Sequence, residues 1–398
     1  MIETQTQTTG TPGASAATLD ASVGLALDRL DRRRHHIFAI WLEGLAEQLA
    51  PRVRQLSVTR AHDRNRPMHF GGVEEHVVPR LLESHYAYAA FGPRWFDRLG
   101  LDLVHFPFLY APYSWAGSKV ARVVTIHGSA RNEMPYDMKK RFGRGKLARM
   151  NAALAGYDAI LAVSESARRE ASEFYGIAIE RIRVVYDAIG GQFRQGPPSD
   201  AVLDIYGVRR PYILSLCTLR PKKNVGTTVA AFAELKRRGA AHQLVLVGDK
   251  APGYTEVDER IAELGLESDV VQTGFVPAEH VPEFYRGADL LLFPSFHEGF
   301  GLPVAEAQAC ACPVVATNAF SIPEVSGGAA ELVDDPRSVA EVSERAWRVL
   351  SDGAHRASLV ERGLANVRRF RWDRVIDETL SAYADALDAA AVRRGGRR

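Results

Sequence analysis

From about Gln55 onward, short runs rich in β-branched and aromatic residues alternate with longer stretches whose apolar residues recur at helical spacing. Repeated strand–helix units of this kind feed a parallel sheet. Two series are visible. The first predicts strands over 55–59, 103–106, 122–126, 159–163 and 182–185; the second predicts them over 212–218, 243–247, 270–272, 290–293 and 313–316. Gly, Pro, Ser and Asp cluster between the two series, in GQFRQGPPSD, and mark a junction within 193–210. Beyond Pro336 the pattern is almost wholly helical to Ala391, so the last helix has no strand to follow and is free to cross back over both halves. Before the first series, HHIFAIWLEGLAEQLA has helical spacing, but no strand or glycine-rich loop is recognisable ahead of Arg33.

The expected organisation is α/β, with two doubly wound halves. It comprises a disordered leader over 1–20, an N-terminal domain over 21–205, a C-terminal domain over 206–375, and a crossing helix with a basic tail over 376–398. A chain of 398 residues exceeds what one growing core accommodates, which agrees with two domains. The leader is expected because Thr, Gly, Ser and Ala dominate its first 17 positions and bury too little apolar surface to offset ordering.

Composition narrows the function less than pattern does. Lys and Arg number 50 against 48 Asp and Glu, so net charge points to no nucleic-acid partner. Cys217, Cys310 and Cys312 have neither an even count nor a C-x-x-C spacing, which suits a reducing cytoplasm. No apolar run approaches the ~18 residues that span a bilayer, and the N-terminus has no basic-then-apolar signal.

The chemistry is concentrated in FPSFHEGFGLPVAEAQACACPVVATNAFSIPEV, residues 293–325. Ligands of doubly wound sheets bind beyond the C-terminal ends of strands, and Glu298 follows such an end. Gly299 and Gly301 permit close backbone approach, and Pro303 suits the first position of a helix. The amides of Phe300, Gly301 and Leu302 are then available for an anion such as a diphosphate. Glu306, in that helix's first turn, would repel a phosphate and suits neutral hydroxyls, as on a ribose; Glu298 by the same logic suits sugar hydroxyls. Dipole complementation by Glu306 and a solvated Glu298 are the bland alternatives.

The string resembles the E-x7-E signature of the retaining family 4 glycosyltransferases, with Glu298 and Glu306 at the two acid positions. The resemblance implies a GT-B fold of two Rossmann-like domains facing across a cleft. It also implies a nucleotide-diphosphate-sugar donor, GDP- or UDP-linked, no metal, no other cofactor, and retention of anomeric configuration. Ala311 stands where the family usually has Gly, a helix end that alanine tolerates with slight strain.

Other segments fit the same family. In LRPKKN, Arg220, Lys222 and Lys223 follow the first strand of the second half and offer fixed positive charge to a departing diphosphate, and Asn224 is a suitable helix N-cap. The family resemblance places the base near the backbone of Val276 in TGFVP and the donor sugar near His127 in TIHG. Ser164 and Ser166 either cap a helix or line the acceptor cleft, and Glu324 is expected to cap or orient a helix. KKRFGRGKLAR, residues 139–149, carries six cations and is either a solvated face or a membrane contact suited to a lipid-linked acceptor.

The expected activity is therefore transfer of a mannose- or glucose-type hexose to a saccharide or lipid-linked acceptor, in cell-surface polysaccharide or glycolipid biosynthesis, with Glu298, His127 and Lys223 as the catalytic set. The rivals are a silent GT-B subunit that binds nucleotide or a partner transferase, and a sugar-nucleotide epimerase.

Overall fold

The computed structural model describes residues 17–27, 36–60, 73–80, 85–108, 118–128 and 151–395. Two all-parallel sheets organise them. Strands β1 (Leu19–Ala26), β2 (Val53–Arg60), β3 (Glu74–Val77), β4 (Leu103–Phe106), β5 (Ala121–Ile126), β6 (Ala159–Ala162) and β7 (Ile182–Val184) form a seven-stranded sheet in the order β3-β2-β1-β4-β5-β6-β7. Strands β8 (Tyr212–Leu216), β9 (Gln243–Val247), β10 (Val270–Gly274), β11 (Leu290–Phe293), β12 (Val314–Thr317) and β13 (Glu331–Val333) form the second, in the order β10-β9-β8-β11-β12-β13. In each sheet chain order reverses once, between β1 and β4 and between β8 and β11. Such a reversal opens a crevice for ligands at the strands' carboxyl ends.

The ten expected strands are all present within one or two residues of their expected ends, and three strands were not expected. Strand β1, LDASVGLA, takes in Leu19 and Asp20, so the leader ends earlier than residue 20. It escapes notice because it is central and small-residued: a Cβ on Gly24 would lie 2.6 Å from Leu101 Cδ1, so packing selects glycine where strand propensity would not. Strands β3 and β13 are short edge strands that carry Glu residues, as edges that must resist further pairing do. The run 139–149 lies outside the described residues, as does 1–16 of the leader.

Helix Trp372–Gly395 crosses back onto the first sheet, starting before the expected residue 376. Val375, Ile376, Leu380, Tyr383, Ala386 and Ala390 are buried in a core cluster, and the helix packs on β5, β6 and β4. Each such large apolar side chain contributes about 1.5–3 kcal/mol. Tyr383 also reaches His105, whose Nδ1 lies 2.8 Å from the phenol while Nε2 meets Thr125 at 2.7 Å. Burial drives that imidazole's pKa down to about 3, so it is a neutral strut. Arg393 near the helix end pairs with Asp158 at 3.1 Å. Phe300, Ala305, Val325 and Phe370, from the second half and its connection, are buried in a cluster with Val124, Ile160 and Ala167 of the first. The halves thus share a core as well as a cleft.

Candidate active site at the switch point of the second sheet

Strands β8 and β11 are neighbours at the reversal, and the loops that leave them carry the two groups with opposite charge. After β8 the chain enters a one-turn 3-10 helix, Pro221–Lys223. Asn224 closes it at φ +56° and does not cap the next helix with its side chain, as the sequence suggested. Its Nδ2 instead donates to Pro294 O at 3.0 Å and Pro336 O at 2.6 Å, since a left-handed Asn aims its amide away from the helix. Phe296 N and Ser295 Oγ both donate to Lys222 O, at 2.9 and 3.2 Å. The two loops are stitched together through backbone carbonyls, by one backbone amide and two side chains.

Lys223 Nζ then lies 2.5 Å from Glu298 Oε1, with about a tenth of each side chain exposed (11% and 10%). The ring of Phe293 sits 5.1 Å below the ammonium. Burial opposes ionisation of Glu298, but Lys223 and Lys222 outweigh it and hold the carboxyl below its ordinary value. A fixed carboxylate and a fixed ammonium therefore face the crevice together.

The following residues turn the chain sharply. A Cβ at Gly299 would lie 1.6 Å from His127 O, so only glycine lets this loop touch the other half. Gly301 takes φ +99° as the N-cap of helix Leu302–Ala309. Val304 N donates to Gly301 O and Pro303 has no donor, so Phe300, Gly301 and Leu302 hold the amides that the helix cannot satisfy. The Phe300 ring itself turns inward against Phe370 at 5.2 Å and contributes only backbone to any site. Ser321 Oγ fastens the turn by donating to Glu298 O and Phe300 O, at 3.0 and 2.7 Å.

Glu306 lies on the same helix, not in its first turn as the sequence suggested but beyond it, because the helix begins at Leu302; its Oε2 accepts from the Tyr285 hydroxyl at 2.9 Å. Burial pushes its pKa up to about 7, so it is not the plain carboxylate expected from sequence. An acid whose charged form is disfavoured by burial in this way still accepts from neutral hydroxyls. Val276, only 6% exposed, follows Gly274, whose carbonyl accepts from Gly248 N at 3.0 Å. Arg220 keeps a buried Nε with no hydrogen-bond partner.

The first half contributes His127 at the end of β5. Its Nε2 contacts Pro107 O at 3.0 Å, its Nδ1 faces Asp187 Oδ2 at 3.7 Å, and Phe108 stacks on it at 4.9 Å. Both nitrogens thus face protein acceptors, a tighter hold than a residue reading suggests. Ser164 caps helix Glu165–Tyr175 by accepting from Ala167 N, and its hydroxyl donates to Gly299 O at 2.6 Å. Glu324 caps the same helix from the opposite half, accepting from Glu165 N at 2.8 Å and Ser166 N at 3.2 Å, so Ser166 offers backbone. His297 Nε2 lies 3.0 Å from Glu170, another bridge between halves.

Sequence reasoning missed Tyr285, Asp187, His297 and Glu170, because each acts through a partner distant in the chain. His297 alone had a local signal, its place beside Glu298.

Residues 207–365 match the family Glycosyl transferases group 1, and residues 28–189 match Glycosyltransferase Family 4. The chain belongs to the group 1, family 4 glycosyltransferases. The O-antigen chain mannosyltransferase B of Escherichia coli resembles this glycosyltransferase at 29% identity over 313 residues, which is 77% of this chain and 80% of that protein. The serotype-specific mannosyltransferase WbdA of Escherichia coli is 30% identical over 261 residues, 63% of this chain but 31% of WbdA. Among solved structures, Anabaena HepE in complex with UDP and glucose superposes on this glycosyltransferase with a TM-score of 0.72 at 20% identity, covering 91% of this chain and 99% of that one. The fold is GT-B. Among the described residues of the glycosyltransferase no helix is long and apolar enough to cross a membrane.

Proposed function

We propose that this glycosyltransferase moves a mannose- or glucose-type hexose from a GDP- or UDP-linked donor to a saccharide or lipid-linked acceptor in cell-surface polysaccharide assembly. The observation that carries the reading is the buried Lys223–Glu298 pair at 2.5 Å, placed where the loops of β8 and β11 flank the switch point. The mannosyltransferase relatives support the mannose option, and the HepE complex supports a nucleotide-sugar in this fold.

In this reading the diphosphate lies against the amides of Phe300, Gly301 and Leu302, with Lys223, Lys222 and Arg220 countering the charge that develops as the glycosidic bond breaks. Glu298 accepts from hexose hydroxyls, and its ion pair keeps it anionic while it does so. Glu306 accepts from the ribose, and the backbone at Val276 meets the base. His127, held by Pro107 and Asp187, gives one wall of the sugar site. The acceptor oxygen attacks the anomeric carbon on the face from which the diphosphate departs, and its proton passes to the departing phosphate oxygen. The charges in this scheme come from the chain's own side chains and amides, so no metal is assigned, and configuration at the anomeric carbon is retained.

The test is transfer from GDP-mannose, UDP-glucose and UDP-galactose to short saccharide acceptors, with the product's anomeric configuration read by NMR. An α-linked product from an α-linked donor is expected. A β-linked product, or nucleotide release with no transfer to any acceptor, counts against the scheme. The rival reading, a silent subunit, predicts nucleotide binding without turnover.

A further inference from the structure

We propose that Phe320, on the second half, stacks on the acceptor saccharide across the cleft, an inference that rests on the hexosyltransferase reading above. The backbone of Phe320 takes φ +56°, a region that crowds the Cβ of any residue but glycine and is rare for a bulky one. The cost is not recovered by burial, because the ring is 39% exposed while Phe232, Phe284, Phe293 and Tyr285 in the same half are all but fully buried. Strained backbone of this kind is kept where the surrounding structure holds it for a purpose.

The means of holding it are on both sides. Asn318 Nδ2 donates to Asp334 Oδ1 at 2.7 Å, and Ser321, fully buried, donates to the carbonyls of Glu298 and Phe300. Phe320 cannot relax its backbone without disturbing the loop that carries Glu298. Its ring meets His297 edge-on, with centroids 4.5 Å apart and planes at 71°. His297 in turn faces the first half, 3.0 Å from Glu170 and 3.6 Å from where a Cβ on Gly128 would lie. The aromatic ring therefore packs on His297, the neighbour in sequence of the proposed hexose acid, and His297 is the residue that faces the first half.

An exposed ring has an electron-rich face, and the C–H-rich face of a pyranose is its natural partner. One ring flanked by Asn318 and Ser321 gives a platform for a single sugar and not a groove for a lipid chain, so the ligand is the saccharide of the acceptor. Stacking contributes to acceptor affinity and leaves the diphosphate contacts alone.

The experiment uses the full chain with GDP or UDP present and a panel of methyl glycosides of mannobiose, maltose and galactobiose, observed by saturation-transfer NMR and titration. Wild type, Phe320→Tyr, Phe320→Leu and Phe320→Gly are compared. Leucine keeps apolar cover over His297 but has no flat face; tyrosine keeps the face; glycine relieves the backbone. Saturation of ring C–H protons is expected in wild type and Phe320→Tyr, with about tenfold weaker saccharide binding in Phe320→Leu and Phe320→Gly. Nucleotide affinity should stay within twofold, and Phe320→Gly should melt higher than wild type. Equal saccharide binding by Phe320→Leu, a matching loss of nucleotide affinity, or no saccharide binding by wild type overturns the proposal. Failure of the hexosyltransferase reading is distinguishable, because it would leave saccharide binding dependent on Phe320 with no transfer from either donor.

Discussion

The two walls of the cleft stand on sheets of like topology and are finished in different ways. On the second sheet, opposite or complementary groups meet each other in the crevice: Lys223 with Glu298, and Tyr285 with Glu306. On the first, the groups that reach the cleft are spent on holding the halves together, as Ser164 does with Gly299 and as the amides of Glu165 and Ser166 do with Glu324. In the proposed function a diphosphate makes one narrow demand, for cations and free amides at a fixed spacing, and a contiguous run of residues would meet it. In the same reading acceptor hydroxyls can be met by many polar groups, so the opposite wall has no such narrow demand to meet.

The sharpest way to break this contrast is at Lys223. Lys223→Ala should lower turnover about 10²–10³-fold at saturating donor, the usual cost of losing one charge-stabilising group. It also strands a buried carboxylate, so stability should fall by about 3–5 kcal/mol by urea unfolding. The paired variant Lys223→Met with Glu298→Gln should recover much of the stability and none of the activity; recovery of both would show the pair to be structural.

Glu306 sharpens the contrast through pH. Its pKa rises from an ordinary 4.5 to about 7 on folding, so the folded state holds a proton that the unfolded state has lost. The stability this lends is complete below pH 4.5 and disappears as pH rises through 7, at most about 3 kcal/mol in all. Urea midpoints between pH 5 and pH 8 should fall more steeply in wild type than in Glu306→Gln. Parallel slopes would remove Glu306 from the account.

Where the second half caps a helix of the first, and at the end of its own helix Leu302–Ala309, the expected effects are smaller. Glu324→Ala uncaps helix Glu165–Tyr175 and should cost about 1 kcal/mol, with donor affinity little changed. A large loss of donor affinity would mean that the helix it caps takes part in donor binding. The smallest effect is at Ala311, which takes φ +61° at the helix end. Ala311→Gly should stabilise by about 0.5–1 kcal/mol after allowing for the looser unfolded chain, read as a higher urea midpoint with unchanged activity.

The residues of the proposed donor wall were legible in sequence as one group because their spacing is local. Glu298, the glycines, Pro303 and Glu306 lie within nine residues, and Lys222 and Lys223 follow a strand whose apolar run is unmistakable. Ala311 was likewise readable as a strained helix end. What sequence could not supply is pairing across distance: that Lys223 would hold Glu298, that Tyr285 and burial would shift Glu306, or that Glu324 would cap a helix some 160 residues away. Strand β1 was missed because a central strand hemmed by Leu101 selects glycine and alanine over β-branched residues. Asn224 stands at the N-cap as expected, but its side chain makes no capping bond, because its conformation, not its type, decides what its amide reaches.

The most direct measurement is calorimetric titration of GDP and UDP into wild type and into the Lys223→Met, Glu298→Gln pair, with unfolding midpoints matched beforehand. If the switch-point pocket is the diphosphate site, wild type binds at least one nucleotide and the paired variant binds it at least tenfold more weakly. Equal affinity in both proteins, with wild type active, would place the diphosphate elsewhere and contradict the account.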